Sequence, residues 1–272
     1  MSFLRRILEE QPFRLFVRAL VKRLPVGVRS LERWDAVDRP HYLCGILAAA
    51  ELAKSSGVDS IYLIEFGVAQ GKGLLLMQAY AQMVEQETGV GLKVIGFDTG
   101  IGLPATDGDY REHPDKWHAG DYPMDEEWLR ARLLPRTELI IGDVRDTVPQ
   151  FVKGQRWPVG FVAMDIDLYS STKQALQVFC LPGYQMLRRV FLYFDDIMLP
   201  ESHRFAGERL AIEEFNAKNQ TVKIDHWYSL RDRIFRDYRW IQQMYVAHDF
   251  RAINACQAEL EGRATSMLTR PT

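Results

Sequence analysis

Apolar positions along this chain follow two alternating rhythms. From about residue 40, short continuous apolar runs alternate with longer stretches in which apolar residues recur every three or four positions, which marks buried strands alternating with amphipathic helices. Tyr42 to Lys54 predicts a helix with Leu43, Ile46, Leu47 and Leu52 on its apolar side, and Ile61–Ile64 a strand ending in Glu65. Gly73 to Glu87 predicts a helix, Lys93–Phe97 a strand ending in Asp98, and Trp128 to Leu134 a short helix. Leu139–Ile141 is a third strand closed by Gly142 and Asp143, and Phe161–Met164 a fourth ending in Asp165. Ser170 or Ser171 is placed to cap a helix running to Phe179, and Leu187 to Phe194 leads into a fifth strand ending at Asp195 and Asp196. A helix carrying Leu210, Ile212 and Phe215 follows, and stretches near 221–228 and 240–247 predict a hairpin at the sheet edge. The expected fold class is α/β, a doubly wound, mostly parallel seven-stranded sheet.

Residues 99–127 break the rhythm. They hold Pro104, Pro114 and Pro123, Gly100, Gly102, Gly108 and Gly120, and Tyr110, Trp117 and Tyr122. A connection of that length predicts a functional loop such as a lid. In doubly wound sheets ligands bind outside the carboxyl ends of the strands. Glu65, Asp98, Asp143, Asp165, Asp195 and Asp196 each fall just past a predicted strand end, so one crevice should collect them.

Composition narrows the picture. The chain has 272 residues and a net charge of −2, with 26% charged residues, which gives no general reason to expect a nucleic-acid partner. Cys44, Cys180 and Cys256 are widely spaced and form neither a disulfide framework nor a zinc motif. They are expected to act as buried small hydrophobes in a cytoplasmic protein. No run of about 18 apolar residues suggests a membrane span.

Only the N-terminus is biased, with eight basic residues against four acids over residues 1–35. Phe3, Leu4, Ile7 and Leu8 recur at helical spacing, as do Phe13, Phe16, Val17, Leu20, Val21 and Leu24. Two readings stay open: a basic amphipathic helix on a membrane surface, or an arm packing on the domain or on a second subunit. The expected organisation is an arm over 1–40, a domain over 41–250 with its lid at 99–127, and a C-terminal helix or tail over 251–272.

The chemistry begins at Glu65-Phe-Gly67-Val-Ala-Gln-Gly71-Lys-Gly73. Glycines there let the backbone turn tightly and approach a ligand. The spacing Gly-x₃-Gly-x-Gly is neither the dinucleotide fingerprint nor the phosphate loop. Glu65 would repel a pyrophosphate and suit a cationic amino acid. Asp98 can accept from two ribose hydroxyls as a charge-assisted bidentate pair. Asp143, followed by Val144, can meet an adenine amino group while a backbone N–H meets the ring. Each acid taken singly reads equally well as a helix cap or a solvated charge.

Together, Glu65-x-Gly67-x₃-Gly71-x-Gly73, Gly96-Phe-Asp98 and Gly142-Asp143-Val144 resemble the class I S-adenosylmethionine-dependent methyltransferases. More narrowly, Gly96-Phe-Asp98-Thr-Gly-Ile-Gly102-Leu-Pro104, Met164-Asp165-Ile-Asp167-Leu-Tyr169-Ser-Ser-Thr172 and Phe194-Asp195-Asp196 resemble the macrocin and mycinamicin O-methyltransferase family. That resemblance covers roughly residues 60–215. It implies a Rossmann-like fold with S-adenosylmethionine contacted by Glu65, Gly67, Gly71, Gly73, Asp98, Thr99, Asp143 and Val144. It also implies Mg²⁺ on Asp165, Asp195 and Asp196, a donor set of hard oxygens that leaves room for a substrate diol. The implied acceptor is a hydroxyl on a sugar or glycosylated metabolite. Two motifs depart from the family: Gly100-Ile101 stands where an aromatic-acidic pair is usual, and Leu181-Pro182-Gly183-Tyr184 replaces a Pro-Gly-Gly turn.

Asp165, His203 and His226 are the candidates for a general base, since a neighbouring carboxylate or an imidazole can take a hydroxyl proton. Two further readings stay open beside O-methylation: a non-catalytic module that keeps the fold, and a metal-independent methyltransferase acting on nitrogen or carbon.

Overall fold

In the computed structural model, which describes residues 12–256, seven strands form one sheet in the order β3-β2-β1-β4-β5-β7-β6. The first five are β1 (Ser60–Phe66), β2 (Gly91–Asp98), β3 (Thr137–Ile141), β4 (Val159–Met164) and β5 (Met186–Phe194). These pair in parallel. The last two, β6 (Val222–His226) and β7 (Met244–Asp249), pair antiparallel, and β7 also runs antiparallel to β5. The doubly wound, mostly parallel sheet is therefore the architecture that forms.

Alternation along each strand sends side chains to opposite faces. In β1, Ile61 and Leu63 join one core with helices α3 (Pro40–Ser55) and α4 (Lys72–Thr88). Tyr62, Ile64 and Phe66 join the other, with α6 (Val144–Gly154), α7 (Tyr169–Leu176) and α8 (Gly207–Lys218). Burial on both faces explains why these strands read as continuous apolar runs.

The late strands do pair antiparallel at the sheet edge as expected, and the structure adds their order: β7 lies inside beside β5 and β6 is the edge. Residues 227–243, which include two short 3₁₀ turns, connect the two strands. Several expectations are corrected. The hydrophobic pattern marks no helix between β3 and β4, yet α6 forms around Pro149 with Asp143 capping it. Helix α7 has Leu168 at its N-cap, with no side-chain cap, and ends at Leu176 in a 3₁₀ turn. The Ser170 N–H donates instead to the Glu112 carboxylate, at 3.1 and 3.2 Å to its two oxygens. Of the cysteines only Cys44 is buried; Cys180 is exposed beside Asn219 and Cys256 is half-buried.

The N-terminal helices α1 (Phe13–Val21) and α2 (Val28–Arg33) precede α3. Helix α1 meets the domain largely through its arginines. Arg14 forms a bidentate pair with Asp237 at 2.9 and 2.7 Å, and Arg18 donates to the Asp35 carbonyl at 2.8 Å. Phe13, Phe16, Leu20 and Leu24 stay exposed, Phe16 by 70%. Val21 is buried and Val17 half-buried, so only the outer part of the apolar stripe faces away from the domain. Phe3, Leu4, Ile7 and Leu8, and residues 257–272 of the expected C-terminal tail, lie outside the described residues; the chain is helical over 250–256.

Beneath this region Arg233 forms ion pairs with Glu32 and with fully buried Asp35 (2.9 Å), and Trp240 Nε1 donates to Asp35 at 3.1 Å. Removing one member of a buried pair strands the other's charge. Arg233→Ala is therefore expected to cost about 3 kcal/mol of stability. Urea unfolding checks this, and a loss below about 1 kcal/mol would mean the network carries little.

Candidate active site

All five parallel strands end on one rim, because parallel pairing points their carboxyl termini the same way. A cavity of about 430 Å³ opens there, and its lining includes Glu65, Gly67, Gly73, Asp98, Thr99, Asp143, Val144, Asp165, Asp195 and Asp196. Gly71 lies beside them at the N-cap of α4. The acids expected to converge do so.

The turn after β1 is built for close approach. Gly67 has φ of 81°, and a Cβ there would sit 1.7 Å from the Asp165 carbonyl oxygen. At Gly73 a Cβ would meet Glu65 Oε1 at 1.9 Å. The absent side chains leave β4 and the Glu65 carboxylate against the turn backbone.

Glu65 is 1% exposed, and Tyr42 Oη donates to its Oε1 at 2.6 Å while its Oε2 has no hydrogen-bond partner. Burial pushes its carboxyl up to about 8, against the opposing Tyr42 hydrogen bond. An orphaned buried acceptor facing a cavity fits an incoming cationic group.

Asp98 braces the turn. Its Oδ2 accepts from the Val68 and Ala69 N–H groups at 2.8 and 2.9 Å, and its Oδ1 from Gly100 N–H at 2.7 Å. A carboxylate offers about four lone-pair sites, so roughly one remains for a ribose hydroxyl. The expected two-hydroxyl pairing needs one of those N–H groups to let go.

Asp143 caps α6 through the Arg145 N–H at 2.8 Å and pairs with the Arg145 guanidinium at 2.6 Å. The Arg145 hydrogen bond holds its carboxyl below the ordinary range. It serves as a cap and lines the cavity at once.

Ligand oxygens of Asp165, Asp195 and Asp196 lie within 4.8 Å of one another. Burial, then Asp195, raises the Asp165 carboxyl, and burial, then Asp167, raises Asp196. Asp196 Oδ2 is buried without a hydrogen bond. Three hard oxygen donors that resist joint ionisation fit a divalent cation. Tyr193 Oη donates to Asp195 from the same strand end, and Gln243 Nε2 donates to the Asp195 carbonyl.

The base candidates separate. Asp165 lines the cavity, whereas His203 and His226 do not. The His203 ring lies edge-on to His113, centroids 5.5 Å apart. His226 stacks on Tyr245 on the outer strands, its Nε2 3.0 Å from Tyr245 Oη.

Residues 99–125 fold over the rim. Thr99 Oγ1 donates to the Gly102 carbonyl at 2.8 Å, and Leu103 exchanges backbone hydrogen bonds with Asp121 and Gly120 at 2.9 and 2.8 Å. Trp117 and Tyr122 from this segment line the cavity. Its end is fixed by Asp125, which caps α5 (Glu126–Arg130), two residues before the expected boundary.

Three residues in or near the cavity escape the sequence pattern, and a fourth, Asp167, is marked only by its motif. Arg39 and Asp121 line the cavity. Asp167 lines it at φ of 58°, its carboxyl raised first by burial. Glu208 on α8 is 2% exposed with both oxygens unbonded, and burial followed by Asp196 raises its carboxyl. The Asp-x-Asp spacing signalled Asp167; nothing local signalled the other three.

No family model matches the chain, and no curated protein sequence matches it. Among solved structures, it is similar to CalS11, a calicheamicin methyltransferase (20% identity over 79% of this chain and 88% of that one, TM-score 0.49). It is similar to the SAH-bound Podospora anserina methyltransferase PaMTH1 (10% identity over 90% and 93%, TM-score 0.44). It is also similar to MycE, a methyltransferase of the mycinamycin biosynthetic pathway in complex with Mg and SAH (10% identity over 74% and 48%, TM-score 0.43).

Proposed function

We propose that this protein is an S-adenosylmethionine-dependent O-methyltransferase that uses Mg²⁺ and acts on a hydroxyl of a sugar or a related small molecule. The observation that carries the reading is the convergence of Glu65, Asp98 and Asp143 with the Asp165–Asp195–Asp196 cluster on one cavity. Glu65 receives the ammonium of the cofactor, Asp98 a ribose hydroxyl, and Asp143 with the Val144 N–H the adenine edge. The glycine turn admits the adenosyl group, and Thr99 shapes the loop beside the ribose.

Asp165, Asp195 and Asp196 would hold the divalent ion, which when bound supplies positive charge that lowers an acceptor hydroxyl's pKa and orients it. Asp165 is placed to take the hydroxyl proton. The acceptor oxygen then bonds to the methyl carbon as the sulfonium–methyl bond breaks, giving S-adenosylhomocysteine and a methyl ether. Positioning accounts for much of the rate in such a displacement, and the 99–125 segment excludes water from it.

Thermal unfolding with S-adenosylhomocysteine tests the cofactor half. Ligand at 100 times its Kd adds about 2.7 kcal/mol of stability, so the melting temperature should rise by several degrees. No rise at millimolar ligand would reject the cofactor. Methyl transfer to a panel of sugar nucleotides, run with and without EDTA, tests the other half. Turnover that survives chelation would reject the metal and favour a metal-independent transfer.

A further inference from the structure

The proposed cofactor ends in a zwitterion, and Glu65 can answer only its ammonium. The carboxylate must enter a cavity lined by eight carboxylates, against which the lining sets only two cations, Arg39 and Lys72. Lys72 is an exposed residue at the start of α4. Arg39 is half-buried and stands at the N-cap of α3 in the left-handed region, with φ of 44° and ψ of 62°. A non-glycine residue held there is worth a functional explanation.

The Arg39 side chain reaches the Glu65 corner of the cavity. Its Nη1 lies 3.1 Å from Tyr42 Oη, and Tyr42 Oη donates to Glu65 Oε1 at 2.6 Å. One phenol therefore joins a cation to an anion, a spacing suited to an α-amino acid. The other side of Nη1 meets Asp165 Oδ2 at 3.5 Å, a long contact. Arg39 Nε and Nη2 make no hydrogen bond among the described residues. Those free donors matter because a guanidinium binds a carboxylate best through two parallel N–H groups.

We propose that Arg39 binds the carboxylate of the cofactor's amino-acid end. The inference rests on the cofactor reading above and assigns the half of the zwitterion that reading leaves open. It separates two simpler roles for Arg39: a counter-charge for Asp165, or a brace for the N-terminus of α3.

The test is calorimetric titration with two ligands, S-adenosylhomocysteine and 5′-methylthioadenosine, which shares the nucleoside but has no amino acid. Arg39→Asn removes the guanidinium while tolerating the left-handed backbone, and Arg39→Lys keeps charge without the fork. In Arg39→Asn, affinity for S-adenosylhomocysteine should fall at least about tenfold while 5′-methylthioadenosine stays within about twofold; Arg39→Lys should fall between. Unchanged S-adenosylhomocysteine affinity in Arg39→Asn would overturn the assignment, as would an equal loss for both ligands. If the unsubstituted protein binds the two equally well, the amino-acid end gains nothing from the site and the inference fails while the cofactor reading stands. If it binds neither, the cofactor reading itself fails.

Discussion

Asp98→Ala is expected to weaken S-adenosylhomocysteine binding by roughly a hundredfold or more. Two losses combine. The first is the charge-assisted hydrogen bond to a ribose hydroxyl, about 1.5–3 kcal/mol. The second is preorganisation, because the same carboxylate accepts the Val68, Ala69 and Gly100 N–H groups. Without it those donors need new partners, and the turn carrying Gly67 and Gly71 loses the brace that shapes it. Asp98→Asn separates the two losses: its carbonyl oxygen can still accept, but its NH₂ group faces N–H donors and the charge is gone. Asn should therefore bind better than Ala and worse than the native residue. Calorimetry measures the affinities, and thermal unfolding of the ligand-free variants measures the turn. An alanine variant binding within threefold of native would remove Asp98 from the cofactor site.

The second large effect is expected at Asp196. It is 7% exposed, one of its oxygens lacks a hydrogen bond, and burial together with Asp167, Asp195 and Asp165 raises its carboxyl. A raised carboxyl means that the folded protein binds the proton more tightly than the unfolded chain does. This group therefore leaves stability untouched below the ordinary carboxylate range and erodes it as pH climbs above that range. Metal-free protein should accordingly lose stability on going from pH 5 to pH 8. Adding Mg²⁺ should restore it, since the cation stabilises the ionised forms. Asp196→Asn removes one of the mutually repelling carboxylates. It should make the metal-free protein more stable at pH 8, flatten the pH dependence, and abolish the stabilisation by Mg²⁺. Methyl transfer should fall by about a thousandfold, on the order of 4 kcal/mol of barrier. Melting curves at two pH values with and without Mg²⁺ give the decisive comparison. A variant that Mg²⁺ stabilises as well as the native protein would exclude Asp196 from the metal site.

Much of this architecture is legible in the sequence because burial on both faces leaves a one-dimensional trace. The runs Ile61–Ile64, Lys93–Phe97 and Phe161–Met164 could be placed as strands because the two cores cover both sides of β1, β2 and β4. The acids at the strand ends could be gathered in advance for a related reason. Parallel strands share one direction, so residues that each close a strand must meet at one rim. The left-handed glycine at 67 announced the turn because a side chain there would strike the β4 backbone.

Other features were decided by the tertiary structure alone. Periodicity reports that a face is buried, not what buries it, so the apolar stripe of α1 gave no sign that Arg14 and Arg18 would make the contacts with the domain. Strand order at the sheet edge depends on which neighbour β5 accepts, and β7 took that place from β6. His203 and His226 have the chemistry of a base, but chain position could not tell that both would lie off the cavity. Arg39 lies outside every motif; its guanidinium meets Tyr42 three residues along the chain, and only the packing of α3 on the sheet brings that pair to Glu65. The sequence determined which groups each strand delivers to the rim, because strand direction and burial are local properties. The tertiary structure decided which distant charges answer them, because that depends on how helices pack across the sheet.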